Sequence, residues 1–236
     1  MYYPSLEEVK KLKNRGNLIP VYRELVADLE TPVSAFMKIN RSGNSFLLES
    51  VEGGERIARY SFIGTEPYMI IKTSEKKETD PLPLIARELE KYKIVPVEGL
   101  PRFSGGAVGY LAYEAVMRFE ELPSPDVDTL RLPESLFMFV DTMLVFDHVT
   151  HRIKILSHAR LDGNVEEEYT RAIGRIEELA DRLNQPLVQY QGDRNVYKSA
   201  ANVPLSSNLS REEFERSVLK IKEYITEGEA IQVVLS

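Results

Sequence analysis

A chain of 236 residues, 43% hydrophobic and 28% charged, has the balance of a globular protein and enough length to bury a sizeable core. Its formal charge of −7 argues against nucleic acid or an anionic membrane surface as the main partner, and its lack of cysteine excludes disulfides and thiolate metal sites. No apolar stretch approaches the ~20 residues of a membrane span, and Met1-Tyr2-Tyr3-Pro4 offers no signal-peptide segment, so a cytoplasmic location is expected.

In chain order, Ser5-Leu6-Glu7-Glu8 is a capping box that predicts a short helix ending near Gly16. An extended segment around Ile19-Pro20-Val21-Tyr22 follows. Thr31 as N-cap, with Pro32 at the first helical position, opens a second helix through Ala35, Phe36 and Ile39. Three strands are expected over 45–51, 59–64 and 68–73, an antiparallel meander in outline, divided by Gly53-Gly54 and Glu66-Pro67. The spacing of Leu84, Ile85, Leu89 and Tyr92 predicts an amphipathic helix over 83–92. Gly105-Gly106 precede a strand over 107–113 whose small residues suit close approach to another backbone.

The apolar runs 134–146 and 152–157 are joined by Asp147-His148-Val149-Thr150-His151 and read as a hairpin. A charged helix over 165–183 buries a stripe of Tyr169, Ile173, Ile176 and Leu179. The chain then turns polar, with Pro186, Gly192, Asp193 and Pro204. This divides it into a domain at 1–184, a linker at 185–208 and the start of a second domain at 209–236. Ser210 and Glu213 cap a helix bearing Phe214, Val218, Ile221 and Ile225, which stops at Gly228. After it, Ala230-Ile231-Gln232-Val233-Val234-Leu235-Ser236 reads as a buried strand interrupted by one amide, Gln232. Strands grouped in runs with helices between them give an α+β fold, mainly antiparallel sheet with packed helices.

His148, His151 and His158 lie at a turn and a strand end with no third ligand at suitable spacing, so they read as solvated residues rather than a metal site. Neither glycine pair forms a phosphate-binding pattern. Glu166-Glu167-Glu168 occupy a first helical turn, where the dipole favours acid. More informative is Leu47-Leu48-Glu49-Ser50, followed across a turn by Arg56 and Arg59-Tyr60-Ser61. A carboxylate and a hydroxyl on one strand, facing guanidinium groups on the next, suit a zwitterion such as an amino acid. The same residues also suit a surface cross-strand salt bridge worth ~0–1 kcal/mol, and spacing alone leaves both readings open.

The run Phe46 to Gly64 (FLLESVEGGERIARYSFIG) resembles the amino-terminal part of the anthranilate synthase component I family of chorismate-utilising enzymes. So do Ile19-Pro-Val-Tyr-Arg23, Thr31-Pro-Val-Ser-Ala-Phe36 and Phe103-Ser-Gly-Gly-Ala-Val-Gly-Tyr110, while Glu227 to Ser236 resembles the run leading into the family's chorismate-binding region. The resemblance covers about the first half of a typical member. It implies a fold that is part of a larger α/β sandwich, and an enzyme that converts chorismate and ammonia to anthranilate and pyruvate with Mg²⁺ in tryptophan biosynthesis. It implies a glutamine amidotransferase component that supplies the ammonia, and feedback inhibition by L-tryptophan. The inhibitor pocket would include Leu48, Glu49 and Ser50, with Arg59 as its basic residue. The family's Mg²⁺ ligands lie beyond Ser236, so no residue here is assigned to metal.

Related enzymes that add water carry Lys where Gln232 stands. A lysine with a lowered pKa activates water, whereas neutral ammonia already has a nucleophilic lone pair. An amide cannot act as a base but positions a nucleophile or leaving group by hydrogen bonds, and that is the role expected of Gln232. The expectation is therefore the ammonia branch, with this piece inactive by itself. Aminodeoxychorismate synthase component I and a non-catalytic tryptophan-sensing module are the alternatives.

Overall fold

The computed structural model describes residues 1–41, 43–49, 59–73, 80–122, 130–187 and 206–235, and the chain divides into two compact units, Met1–Val188 and Gln189–Ser236. In the first unit the elements are α1 (Leu6–Leu12), β1 (Leu18–Val26), α2 (Pro32–Ile39), β2 (Ser45–Leu48), β3 (Tyr60–Thr65), β4 (Met69–Thr73) and α3 (Pro81–Leu89). They continue with β5 (Gly106–Leu111), a 3₁₀ segment (Tyr113–Arg118), β6 (Ser135–Val140), β7 (Thr142–Asp147), β8 (Arg152–Arg160) and α4 (Val165–Leu183). No helix among the described residues is long and apolar enough to cross a membrane.

The helix starts follow local chemistry. Ser5 and Glu8 close a reciprocal capping box on α1, Thr31 and Ser34 do the same on α2, and Asn164 accepts from the Glu166 and Glu167 N–H groups at the start of α4. Asp80 accepts from Leu82 N–H at 2.9 Å, so α3 begins with Pro81 at its first position, two residues before the expected start.

Two antiparallel sheets form, with strand orders β1-β8-β7-β3-β2 and β4-β6-β5. One face of the five-stranded sheet presents Ile19, Val21, Ile63, Leu144, Phe146 and Ile155 to the helices. From α4 come Tyr169, Ile176 and Leu179 of the stripe predicted by periodicity, each at most 7% exposed, while its fourth member, Ile173, is only partly buried against the same core. A fully buried Ile or Leu of this kind stabilises by about 1.5–3 kcal/mol, and Ile176→Ala would cost roughly 2–5 kcal/mol. The opposite face, with Tyr22, Met143, Val145 and Leu156, packs on Met138 and Val140 of the three-stranded sheet. The sheet is therefore covered on both sides, which is why β8 is buried from Ile153 to Ala159 without alternation.

Three expectations are corrected. The meander stops after two strands: β2 and β3 pair, but β4 belongs to the other sheet, where it pairs with β6. The apolar run 134–146 is two strands, one in each sheet, separated by the single residue Asp141, while the hairpin of β7 with β8 forms as expected. The last run is no strand. Residues 230–235 are irregular, with Ile231 97% and Val234 80% exposed, because a strand needs a neighbour to complete its ladder and none pairs with it among the described residues. In the second unit α5 (Arg211–Glu227) has the expected Ser210–Glu213 capping box and ends at Gly228 with φ +85°, but no residue on it is buried. Most of the expected linker, residues 188–205, lies outside the described residues.

Gly109 shows why β5 carries small residues. A Cβ there would lie 1.9 Å from the Leu136 carbonyl oxygen and 2.7 Å from Phe137 Cα on β6, and backbone cannot give way. Gly109→Ala is expected to lower stability by about 3 kcal/mol in urea unfolding. Gly163→Ala, with open space around it, should stay within about 0.5 kcal/mol. Equal midpoints for the two variants would mean that β5 does not lie this close to β6.

Candidate functional site

The residues singled out by sequence lie mostly at one end of the β2–β3 ribbon. Leu48, the last residue of β2, pairs with Phe62 and is 45% exposed; β2 is an edge strand of its sheet. Glu49 follows it, exposed and without an ion pair to any described residue. Ser50 and Arg56 lie outside the described residues. Arg59 stands immediately before β3, so the antiparallel register brings Glu49 and Arg59 to the same end of the ribbon.

Arg59 is not paired with Glu49. Its Nε donates to Asp147 Oδ1 at 3.1 Å and its Nη2 to Oδ2 at 2.7 Å, a bidentate fork to the last residue of β7. Asp147 is 3% exposed and also accepts from the Val149 and Thr150 N–H groups at 3.1 and 3.4 Å, so it closes the β7–β8 turn as well. Burial by itself would push the Asp147 carboxyl up. The Arg59 guanidinium and the two turn N–H groups outweigh it and hold the group below the usual carboxylate value. The Arg59 guanidinium stacks over the Tyr60 ring at 4.9 Å. Beside it, Ser61 Oγ and His148 Nε2 are 2.7 Å apart, and the His148 N–H donates to the Arg59 carbonyl at 2.9 Å.

A surface salt bridge was one open reading of these residues, and an ion pair is present, but with a partner 88 positions away that sequence offered only as a turn residue. The Arg59 side chain is 40% exposed, and the fork to Asp147 uses two of its five N–H groups. An anion approaching Arg59 would therefore join an existing pair.

The histidines divide. His148 and His151 lie at the β7–β8 turn, as expected, His151 with φ +51°. His158 is not solvated: it is 3% exposed on β8, and its Nδ1 lies 3.1 Å from the Asp141 carbonyl. Burial drives its imidazole pKa down to about 4, only partly offset by the nearby Asp141 carboxylate. Gln232 belongs to the second unit, where it is exposed in an irregular segment. Among the described residues no three His, Asp or Glu side chains converge as a metal site requires.

A family profile described as chorismate binding enzyme matches residues 43–236. The chain is 38% identical to the anthranilate synthase component 1 of Acetivibrio thermocellus, over 100% of this chain and 51% of that protein. It is 40% identical to the probable anthranilate synthase component 1 of Schizosaccharomyces pombe, over 99% of this chain and 48% of that protein. A crystal structure of anthranilate synthase component I from Streptococcus pneumoniae TIGR4 aligns over 86% of this chain and 45% of its own, with 21% identity and a TM-score of 0.49. The chain spans about half the length of the curated relatives it matches.

The Arg59–Asp147 pair makes a pH prediction. The folded pKa of Asp147 lies below the unfolded value of ~3.9. The stability it contributes is therefore complete above the unfolded value and is lost as pH falls through the folded one. In a carbon-detected NMR titration its carboxyl should inflect below the ordinary range, and Arg59→Gln should move the inflection upward. An inflection in the ordinary range that is indifferent to Arg59→Gln would mean the fork does not persist in solution.

Proposed function

The chain belongs to the chorismate binding enzyme family, and from that premise we propose that it forms the amino-terminal part of an anthranilate synthase component I. The observation that carries this reading is the identity with proteins of that name over essentially the whole chain. The complete protein would convert chorismate and ammonia to anthranilate and pyruvate, a lyase reaction of tryptophan biosynthesis in the cytoplasm. A glutamine amidotransferase component would supply ammonia from glutamine, and tryptophan would act as feedback inhibitor.

Within this chain the reading gives Leu48, Glu49, Ser50 and Arg59 to the inhibitor. The exposed end of an edge strand supports such a role, because its side chains are not used by the core. Glu49 offers a carboxylate for an ammonium group, and Arg59 retains N–H groups for a carboxylate. Coupling between inhibitor and substrate would be reciprocal, each weakening the other's binding. Gln232 would position ammonia or the departing hydroxyl without exchanging a proton, since an amide is no base near neutral pH. No residue of this chain is assigned to the Mg²⁺ of the proposed reaction.

With chorismate, ammonium and Mg²⁺, the 236-residue chain is expected to yield no anthranilate fluorescence, whereas the complete natural protein should. Anthranilate from the 236-residue chain would overturn the assignment of catalysis to the remainder, and aminodeoxychorismate from the complete protein would replace the proposed product. In the complete enzyme, Ser50→Phe should raise the tryptophan concentration for half-inhibition at least tenfold while leaving uninhibited turnover within about twofold, a cost of ~1.4 kcal/mol at the inhibitor site alone. Unchanged inhibition in that variant would remove Ser50 from the pocket.

A further inference from the structure

The first unit holds a cavity of about 500 Å³ away from the Leu48–Arg59 end of the ribbon, in the size range that takes small organic molecules. Its apolar wall is made by Tyr68, Leu89, Tyr92, Ile94 and Val140. Its polar wall is made where the corner between β6 and β7 meets β8 and α4, by Asp141, His158, Glu168, Arg171 and Arg175.

Arg175 is held in place by the protein. Its Nε donates to Ser157 Oγ at 2.7 Å and its Nη2 to the His158 carbonyl at 2.6 Å. Its Nη1 is 3.6 Å from Asp141 Oδ2, attracted electrostatically but beyond a hydrogen bond, so it has N–H capacity left over on a pre-positioned guanidinium. Arg171, paired with Glu168 at 2.5 Å and 60% exposed, can turn toward the same space.

His158 supplies the complementary group. The Asp141 carbonyl can only accept, so the Nδ1 facing it at 3.1 Å must carry the proton. The buried ring is neutral near pH 7, which leaves Nε2 as a bare lone pair. That atom is buried and has no hydrogen-bond partner, one of two such side-chain atoms among the described residues, the other being Arg182 Nε. A buried acceptor without a donor carries an uncompensated desolvation cost, so a ligand that supplies a donor recovers that energy. Gly105 lets the chain pass beside the imidazole: a Cβ there would lie 2.3 Å from His158 Cε1.

We propose that this cavity binds a small organic acid with an apolar ring, its carboxylate at Arg175 and Arg171 and a hydroxyl donating to His158 Nε2. The proposal stands independently of the catalytic reading, because it rests on this cavity and its test involves no turnover.

The probe is 3-phenyllactate, titrated into the 236-residue chain and followed by amide and long-range imidazole ¹H–¹⁵N NMR. Saturable binding is expected, with the His158 Nε2 resonance moving as its lone pair accepts a hydrogen bond. Removing the hydroxyl, in 3-phenylpropionate, should weaken binding about fivefold, the ~1 kcal/mol of one neutral hydrogen bond. Removing the charge, in 3-phenyllactamide, should weaken it tenfold or more. Leu89→Trp fills the apolar side without touching the charged wall and should reduce affinity at least tenfold. Arg171→Ala, at an exposed side chain that leaves the core untouched, should weaken the acid but not the amide. Absence of saturable binding at millimolar probe, equal binding of all three compounds, or unchanged affinity in both variants would overturn the proposal. Displacement of the probe by an equal concentration of inorganic phosphate would overturn the part given to the ring.

Discussion

The carbonyl of Asp141 accepts two hydrogen bonds from one residue, from the His158 main-chain N–H at 2.9 Å and from its Nδ1 at 3.1 Å. Asp141 is the only residue between β6 and β7, so this doubled contact marks the point where the chain leaves one sheet for the other. Everything paired with β6 belongs to the three-stranded sheet, and everything paired with β7 belongs to the five-stranded one. The corner also fixes register, since Thr142 opposite Ser157 is the first pair of the hairpin and their hydroxyls lie 2.9 Å apart. A slip of one residue would turn Met143 and Val145 away from the second sheet and Leu144 and Phe146 away from the helices. Arg175, reaching from α4 to Ser157 and the His158 carbonyl, ties the helical layer to the same point.

A sheet covered on both faces has little room for charge, and its two buried charged strand residues with an ion pair, Lys154 and Asp147, are met from neighbouring strands. Lys154, 6% exposed on β8, stands opposite Glu24 on β1, pairs with its carboxylate and lies 4.8 Å from the Tyr22 ring centroid. Asp147 is met by Arg59 from the neighbouring β3 side. His158 is the exception: the nearby Asp141 carboxylate does not outweigh its burial, and the ring remains neutral near pH 7. Removing Glu24 or Arg59 would leave the buried Lys154 or Asp147 unmatched.

The starts of α1, α2 and α5 were legible because their caps are local. Ser5, Thr31 and Ser210 each announce their helix within four residues, and the period of Tyr169, Ile176 and Leu179 gives the buried face of α4 directly. Pairings were less legible, being non-local. Nothing near Tyr68 says that β4 joins β6 rather than β3, and nothing near Arg59 names Asp147. A weak signal did exist at Asp141, a lone carboxylate in an otherwise apolar run, but a break and a buried functional residue look alike in sequence. His158 was misread for a related reason: its β-strand neighbours are apolar on one side and polar on the other, and only the second sheet, placed by non-local pairing, decides that it is buried. Sequence expected Glu49 and Arg59 on neighbouring strands, and the β2–β3 register brings them to the same end of the ribbon, but sequence gave no geometry for the guanidinium. The same limit holds for the final apolar run, whose β-branched residues favour a strand that only a neighbour can complete.

The Arg59 fork also constrains how the end of the ribbon can recognise anything. Asp147 is nearly fully buried, so a ligand carboxylate that drew Arg59 away would strand a buried anion held only by the two turn N–H groups. Any recognition of an anion at this place would therefore add a second anion to a guanidinium that keeps its first. A bidentate ligand fork is excluded on the edge already facing Asp147; the remaining Arg59 N–H groups and the exposed carboxylate of Glu49 are among the polar groups that the described residues leave there. If a ligand binds there, one carrying both signs would be favoured over a simple anion, because an ammonium near Glu49 would offset the repulsion between the incoming carboxylate and Asp147. With Arg59 already held by Asp147, little of its side-chain entropy would be lost on binding a ligand there.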